Sequence, residues 1–261
     1  KEDPLVPRHL HFSGSLDVSY ASTHPGPVHR AVANPPNPWT TAAGGYEVDW
    51  LGEPPTAELT VFEEVSKSAL ARNDSPDVPF TWGVNPYRGC QHACAYCYAR
   101  PGHQHLGMVA GTDFDTEIVV KTNVEDRLRA ELARVRTGRR GARDWIAFSG
   151  VTDPYQPLEA SYGLTRGCLE ACAEFKNPVG VIPKSALVRR DAELLATIAK
   201  VAGARVFLSI PFLNADVARG LDPWAATPEM RFEALRVLSD AGVPTGISIS
   251  PLSPGLNDAD V

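Results

Sequence analysis

From about residue 80 onward, short apolar runs alternate with longer amphipathic stretches. The apolar runs are rich in β-branched residues, and each ends at polar residues, proline or glycine. This is the pattern of a buried strand. The strand candidates are residues 81–86, 117–121, 145–149, 179–183, 205–211 and 245–251. The pattern therefore predicts six strands, each separated from the next by a segment with a different periodicity.

The segments between these strands have helical periodicity. In residues 124–136, apolar side chains recur at spacings of four, four and three and form one face, made by Val124, Leu128, Leu132 and Val135. Similar faces run through residues 164–175, 191–201 and 228–240. Asp191 and Thr227 stand where helix N-caps are expected.

Six strand–helix units with apolar strands indicate a parallel sheet covered by helices. Such a sheet curves into a partial or complete β/α barrel, which carries its chemistry at the carboxyl ends of the strands. A flat doubly wound sheet is the alternative, but neither of its phosphate-binding patterns, GxGxxG and GxxxxGK[ST], occurs. The prediction is an α/β chain with a partial (β/α)6 TIM-type barrel over residues 80–261, after whose sixth strand a C-terminal segment is expected.

Residues 1–79 differ from the remainder of the chain in composition and in hydrophobic periodicity. Residues 1–80 contain 11 of the 23 prolines and show little periodicity apart from one strand candidate in residues 57–67. We predict an irregular, proline-rich N-terminal arm that either lies over another part of the molecule or is partly mobile.

Composition and charge exclude several classes of protein. With 261 residues and 43% hydrophobic content the chain can bury a large core, so it is not disordered as a whole. No run approaches the roughly 18 apolar residues of a membrane span, and the first residues lack the apolar core of a signal peptide. The net charge of −6 argues against nucleic-acid binding over the whole surface but leaves room for a local basic patch. Five cysteines, an odd number, suit reduced thiols in the cytoplasm better than a disulfide scaffold.

The most informative segment is NPYRGCQHACAYCYAR, residues 85–100. Cys90, Cys94 and Cys97 form a C-x3-C-x2-C set in the loop after the first predicted barrel strand. Three thiolates so close together can hold three corners of a [4Fe–4S] cluster and leave the fourth iron to an exogenous ligand. A structural zinc site completed by His92 or His103 is the alternative.

Three segments carry a resemblance to a known family. The C-x3-C-x2-C set with an aromatic residue before its last cysteine resembles the signature of radical S-adenosylmethionine (SAM) enzymes. The longer string GC-x2-AC-x-YCYAR and the segment FSGVTDPYQPLE, residues 148–159, are similar to the spore photoproduct lyase-like branch of that superfamily and its actinobacterial relatives. Residues 231–258 resemble the sixth-strand region of the same branch, so the resemblance covers about residues 80–261.

The resemblance implies a barrel of the radical SAM kind and an enzyme. Such an enzyme reductively cleaves SAM at a [4Fe–4S] cluster to a 5′-deoxyadenosyl radical, which abstracts hydrogen from a substrate. It also implies an electron donor of the flavodoxin or ferredoxin type and a substrate such as a nucleic-acid lesion or nucleobase, in DNA or RNA. Radical modification of a peptide or metabolite, and a non-catalytic zinc or iron–sulfur module, stay open as alternatives.

The resemblance also implies roles for individual residues. Cys90, Cys94 and Cys97 are the expected cluster ligands, and Tyr96 is expected to lie against the adenine of SAM. Further SAM contacts are expected from residues at the ends of the third, fourth and fifth predicted strands, namely Ser149, Asp153, Lys184, Ser185 and Ser209. Tyr98 is the candidate for hydrogen-atom transfer.

Each of these roles has a plainer alternative. Tyr96 can plug the loop, Asp153 can cap the following turn, and Ser209 can be an ordinary strand residue. Tyr98 can pack beneath the cluster. Photoproduct lyases also use a later cysteine as a hydrogen donor, and no cysteine follows Cys172 here, so repair of the spore photoproduct itself is not expected.

Two further groups of side chains, a pair of cysteines and a run of arginines, are candidates for a chemical role. Cys168 and Cys172 lie four residues apart on one helix face and are predicted to be buried structural thiols. Seven arginines fall between Arg127 and Arg143; a solvated helix surface is the default interpretation, and a track for a phosphate backbone is the alternative.

Overall fold

The computed structural model describes residues 59–136 and 144–260, together with the backbone of strand β1 (Arg30–Ala31). The other strands are β2 (Thr60–Glu64), β3 (Leu70–Arg72), β4 (Trp82–Val84), β5 (Tyr87–Arg88), β6 (Glu117–Lys121), β7 (Ile146–Phe148), β8 (Val179–Val181), β9 (Ala204–Ser209) and β10 (Thr245–Ser248). The helices are α1 (Asp113–Thr116), α2 (Val124–Arg136), α3 (Glu159–Tyr162), α4 (Leu164–Glu174), α5 (Ala192–Val201), α6 (Ala215–Leu221) and α7 (Pro228–Asp240). Short 3-10 helices span Arg100–Leu106, Ala186–Asp191 and Asp258–Asp260.

The larger sheet has the strand order β10-β9-β8-β7-β4-β3. Its first five strands run parallel, and β3 closes one edge in antiparallel orientation. Val84, Phe148, Val181 and Val206 lie side by side on one face of this sheet, and all four are fully buried in the core. Because both the strand directions and the buried face match, the predicted α/β class with a helix-covered parallel sheet is confirmed.

Strand β6 differs from the expectation. It was predicted as the second barrel strand, but it lies in a smaller sheet, parallel to β2 and antiparallel to β5. Consequently β4 pairs directly with β7, and the strand that ends in FSG is the second parallel strand of the larger sheet rather than the third. Ile118, Val119 and Val120 are all fully buried; such a run identifies a strand without identifying its neighbours.

The arm predicted for residues 1–79 lies mostly outside the described residues. Its described part contributes β2 to the smaller sheet and β3 to the larger one, so the strand expected within residues 57–67 is confirmed. The domain boundary between residues 79 and 80 stays a prediction.

The two predicted N-cap residues, Thr227 and Asp191, differ from each other in the structure. Thr227 caps α7 as expected, because its side chain accepts a hydrogen bond from the Met230 backbone N–H. Asp191 precedes α5 but makes no capping hydrogen bond. Its buried carboxylate instead accepts from the Tyr155 hydroxyl and from the guanidinium groups of Arg166 and Arg190, which leaves its oxygens engaged elsewhere. Asp191 therefore occupies the predicted N-cap position of α5, but its side chain does not cap the helix.

Cys168 and Cys172 are both fully buried in the core on α4, which confirms the prediction of buried thiols. Among the described helices, none is long and apolar enough to cross a membrane.

Candidate functional site

The loop that carries Cys90, Cys94 and Cys97 begins at a sharp turn on Gly89. This glycine has a φ of +78°, and a Cβ atom there would stand 2.9 Å from the Phe114 carbonyl oxygen. The same carbonyl accepts a hydrogen bond of 2.8 Å from the Cys90 backbone N–H. A residue other than glycine would therefore disturb the contact that places the first thiol.

One wall of the site joins the cysteine loop to the segment that follows β7. Thr152 donates its hydroxyl to the Gly89 carbonyl at 2.6 Å, and the Gln156 side-chain amide donates to the same oxygen at 3.3 Å. In return, the Gln91 N–H donates to the Gln156 side chain at 3.1 Å, and the Leu158 N–H donates to the Gln91 side chain at 3.0 Å. Two of the segments that carried the family resemblance thus hold each other in place.

A second wall is formed by the last residue of α6 and the chain that follows it. The Ala95 N–H donates to the Leu221 carbonyl at 2.9 Å, and the Trp224 N–H donates to the His92 carbonyl at 3.3 Å. The cysteine loop is therefore fastened by its backbone on both sides.

Arg231 on α7 anchors this second wall to the sheet. It is only 1% exposed. Its guanidinium donates to the Ser209 carbonyl at 2.7 Å, to the Ala226 carbonyl at 2.8 Å and to the Asp222 carboxylate at 3.1 Å. Since Ser209 ends β9 and Asp222 borders the cysteine loop, this side chain fixes the loop relative to the sheet.

Lys184 brings several of the predicted residues together. Its ammonium donates to the Ser209 hydroxyl at 2.7 Å and lies 5.3 Å from the centre of the Tyr96 ring. Its backbone N–H donates to Asp153 at 2.6 Å. The structure thus gathers Tyr96, Asp153, Lys184 and Ser209 beside the cysteine loop.

Electrostatics tie this group to the thiols. Burial raises the pKa of Cys94 well above its ordinary value, and the Asp222 charge adds to the effect. Burial likewise raises the pKa of Cys97. The Lys184 charge opposes these shifts at both thiols, so it favours the thiolate forms that a metal cluster requires.

Tyr96 points inward. Its ring meets Phe212 edge-on, with the ring centres 5.9 Å apart. Burial raises the pKa of the Tyr96 hydroxyl, and nearby Cys94 and Asp222 raise it further. Within the described residues, neither the Tyr96 hydroxyl nor the Asp222 Oδ1 atom has a hydrogen-bond partner.

Tyr98 points outward. It is 80% exposed, and its hydroxyl donates to the Gly150 carbonyl at 2.8 Å. It stands at the rim of the site, beside the segment that follows β7.

The two remaining predicted serines are engaged with the backbone. Ser149 has a φ of +119°, and its hydroxyl donates to the Ile182 carbonyl at 2.9 Å. The Ser185 hydroxyl accepts from the Leu187 N–H and caps the 3-10 helix that follows. Both lie at the carboxyl edge of the sheet, and both have a local structural role.

Asp153 serves as a buried anchor. Its carboxylate accepts from the Tyr155 N–H at 2.8 Å, which supports the turn-cap interpretation, and from the Lys184 N–H. Its Oδ2 atom lies 3.5 Å from Nδ1 of His92. Burial alone would raise the pKa of Asp153, but His92 and the backbone donors outweigh it and lower that pKa.

The donor set suits an iron–sulfur cluster. The three thiols share one loop, carry no competing carboxylate among them and influence one another electrostatically, and soft sulfur donors are what such clusters take. Over residues 59–136 and 144–260, no three His, Cys, Asp or Glu side chains, these cysteines included, are already grouped as ligands of a metal ion. Of the histidines in the zinc alternative, His103 directs Nε2 at the Glu117 carbonyl, 3.0 Å away.

Comparison with known proteins decides the family. The model of the radical SAM superfamily matches residues 84–261, which is more than half of the chain. The chain belongs to the radical SAM superfamily. An uncharacterized protein of Mycobacterium tuberculosis is 37% identical to it over 202 residues, which are 77% of this chain and 58% of that protein. The chain thus spans little more than half the length of this relative.

Two further similarities concern proteins whose names state an activity. The radical SAM Nalpha-GlyT isomerase of Pseudomonas phage M6 is 27% identical over 174 residues, 66% of this chain and 33% of the isomerase. A structure of spore photoproduct lyase complexed with dinucleoside spore photoproduct superimposes with a TM-score of 0.55 at 19% identity, over 78% of this chain and 57% of the lyase. At that identity the likeness shows a shared fold, and it matches the branch of the superfamily predicted from the sequence.

Several residues of this radical SAM site were not predicted. Arg231 lies on the buried face of α7 with Ala234 and Leu238, three and seven residues further on; an arginine at a core position was the available signal. Gln91 and Gln156 gave no such signal, because their pairing depends on contacts between distant segments.

Proposed function

We propose that this protein binds a [4Fe–4S] cluster through Cys90, Cys94 and Cys97 and uses it to cleave SAM reductively. The bound cluster would supply one electron, taken from a flavodoxin- or ferredoxin-type donor, so that SAM yields methionine and a 5′-deoxyadenosyl radical. That radical would then take a hydrogen atom from a substrate. The observation that carries the proposal is the placement of the three-thiol loop beside Lys184 and Ser209 at the carboxyl edge of the parallel sheet.

The chain's own residues would bind and orient SAM. The Lys184 ammonium lies against the Tyr96 ring, beside the thiols. Its positive charge suits the methionyl carboxylate of SAM. The Ser209 hydroxyl, now bonded to Lys184, suits a ribose hydroxyl, and the Tyr96 ring suits the adenine. Ser149, Asp153 and Ser185 would shape the backbone around the ligand, because their side chains are occupied by backbone partners.

We propose a nucleic-acid lesion or nucleobase as the substrate, with Tyr98 at the rim of the site taking part in hydrogen-atom transfer. The support is the exposure of Tyr98 and the similarity to a lyase whose structure holds a dinucleoside spore photoproduct. The five cysteines are free thiols, which supports a reducing, cytoplasmic setting.

The first test is SAM cleavage. The protein is purified without oxygen, reconstituted with iron and sulfide, and mixed with SAM and dithionite, and 5′-deoxyadenosine is measured by chromatography. We expect about four irons per chain and formation of 5′-deoxyadenosine. The Cys94→Ala variant should keep its fold and lose the product. Bound zinc with no product, under conditions in which another radical SAM enzyme works, would refute the proposal.

The second test is the substrate. Ultraviolet-irradiated DNA, a random peptide library and buffer alone are compared as additions to the same assay. We expect irradiated DNA to raise the rate of 5′-deoxyadenosine formation and to give an altered nucleoside by mass spectrometry. The Tyr98→Phe variant should still cleave SAM but form less nucleic-acid product. Stimulation by peptides alone would contradict the proposed substrate.

A further inference from the structure

The larger sheet presents exposed apolar side chains on the face opposite to its buried one. Val181 on β8 and Val206 on β9 are register partners, and both are fully buried in the core. Successive side chains alternate between the two faces of a strand, so Ile182 and Phe207, each one residue further on, point to the other side. There they are 43% and 40% exposed. We call this side the open face and define it by Ile182, Arg205 and Phe207.

The ring of Phe207 lies flat on the sheet. Phe207 pairs with Gly246 on β10, and a Cβ atom at Gly246 would stand 2.6 Å from two carbons of the ring. The glycine therefore lets the ring lie across the neighbouring strand, with one side against the backbone and the other side directed away from the sheet. On the next strand, a Cβ atom at Gly180 would meet nothing within 4 Å, so there is room beside the ring.

The open face leads directly to the proposed SAM site. Ile182 precedes Lys184 by two residues and Phe207 precedes Ser209 by two, and the Lys184 ammonium is bonded to the Ser209 hydroxyl. A strand rises about 3.3 Å per residue, which separates Phe207 from Ser209 by about 7 Å along β9. A group stacked on the Phe207 ring would therefore lie next to the place proposed for the ribose of SAM.

The charge of the open face is positive. Arg205 is exposed and lies two residues before Phe207 on the same side of β9. Its guanidinium is 5.1 Å from the centre of the Trp145 ring, which orients it. A free aromatic surface beside a cation suits a ligand that is both planar and anionic, and a nucleic-acid strand combines bases that stack with phosphates that carry negative charge.

We propose that one nucleobase of the substrate stacks on the free side of the Phe207 ring, beside Ile182, and that Arg205 contacts a phosphate of the same strand. Phe207 is then a specificity-determining residue, because stacking selects a ligand with a planar base. Arg205 adds affinity for any negatively charged strand. The inference rests on the proposed function, since it assigns the subsite for the nucleic-acid substrate proposed there.

The test separates the bases of a strand from its charge. Reconstituted protein, without SAM or reductant, is titrated into a short fluorescein-labelled oligothymidylate or into an abasic strand of the same length, and binding is followed by fluorescence anisotropy. We expect the oligothymidylate to bind about tenfold more tightly than the abasic strand, as stacking of one base provides. Phe207→Leu should remove this difference. Arg205→Gln should weaken the binding of both strands and reduce its salt dependence.

Two further variants control the interpretation. Phe232 is 41% exposed on α7, away from the open face, and Phe232→Leu should leave both affinities unchanged. Gly246→Ala keeps the phenylalanine but displaces its ring, since the added Cβ atom needs the same space. It should lower the affinity for oligothymidylate alone, and it decides the question if Phe207→Leu does not fold.

Equal affinities of the wild type for the two strands, or no binding of either, would overturn the inference. A Phe207→Leu variant that still prefers oligothymidylate would do the same. Tighter binding of a tyrosine-containing peptide than of oligothymidylate, lost in Phe207→Leu, would assign the open face to a peptide instead. The proposed function is judged separately, by SAM cleavage in the wild type without nucleic acid. A wild type that prefers oligothymidylate but forms no 5′-deoxyadenosine would contradict the proposed function and leave the stacking site standing.

Discussion

Replacing Arg231 by methionine tests whether one buried guanidinium holds the cysteine loop to the sheet. Methionine keeps most of the length of the side chain and fits an apolar core. It removes the three hydrogen bonds to the Ser209 carbonyl, the Ala226 carbonyl and the Asp222 carboxylate. The perturbation is therefore mainly the loss of polar partners rather than of volume.

The magnitude follows from burial. Arg231 is 1% exposed and Asp222 is 2% exposed, so the variant leaves a carboxylate buried without its cation. Removing one partner of a buried ion pair costs about 3–5 kcal/mol. The two carbonyls that lose their donors act in the same direction, although such costs do not add simply. We expect the free energy of unfolding to fall by about 4 kcal/mol.

The assay is urea unfolding of the cluster-free protein, followed by tryptophan fluorescence. Arg236→Met is the matched control on the same helix, because Arg236 is exposed and pairs only with the surface carboxylates of Glu233 and Asp240 among its described ion pairs; no resolvable change is expected there. Adding Asp222→Asn to Arg231→Met should restore part of the loss. If the single variant lost less than about 1 kcal/mol, the reasoning would be refuted. So small a loss would mean that the Asp222 carboxylate, left without Arg231, is not an uncompensated buried charge.

Three further predictions concern other parts of the molecule. Gly89→Ala should lower both stability and cluster content, because its Cβ would stand 2.9 Å from the Phe114 carbonyl at a positive φ; unfolding curves and iron analysis check this. Lys184→Met should raise the KM for SAM more than it lowers kcat, since it removes a binding charge from beside Ser209; an unchanged KM would contradict the role. Burial, with the Arg88 charge, lowers the pKa of Lys121 to about 8, below its unfolded value of about 10.4. Between these two pKa values the unfolded chain binds one more proton than the folded chain, so the free energy of unfolding should rise with pH. At pH 7 the Lys121→Met variant should be more stable than the wild type by about 1–2 kcal/mol, after allowance for the partial exposure of Lys121. Urea unfolding at several pH values should show that this difference vanishes near pH 10.

Much of the fold could be predicted because the strands are marked locally. Each of the six predicted runs forms a strand, and the helices between them carry apolar faces that the sequence displays directly. The sheet to which β6 belongs could not be predicted. Its three central residues are buried on both faces, so the same run satisfies either sheet, and the choice depends on pairing with β2 far away in the chain.

In the candidate site, too, the features with a local signal could be predicted and those that depend on distant contacts could not. The cysteine spacing is a local signal, and the residues at the strand ends gather because parallel strands bring their carboxyl ends to one edge. The supporting contacts of Gln91 with Gln156 and of Arg231 with Asp222 join segments that are distant or only loosely periodic. Ser185 illustrates the limit: its position was foreseen, but its use as a helix cap depends on the path of the next turn.

The direct pairing of β4 with β7 has a consequence for how the proposed cluster would be loaded. Residues 85–136 branch off between these two adjacent strands, and their strands β5 and β6 pair with each other and with β2 in the smaller sheet. Opening only the cysteine loop breaks no hydrogen bond between β4 and β7, so the parallel sheet can persist while the thiols are exposed. Loading a cluster would then require this loop to loosen rather than the whole chain to unfold. Amide hydrogen exchange should accordingly be faster around Cys94 and Cys97 than in β7 and β8 of the cluster-free protein.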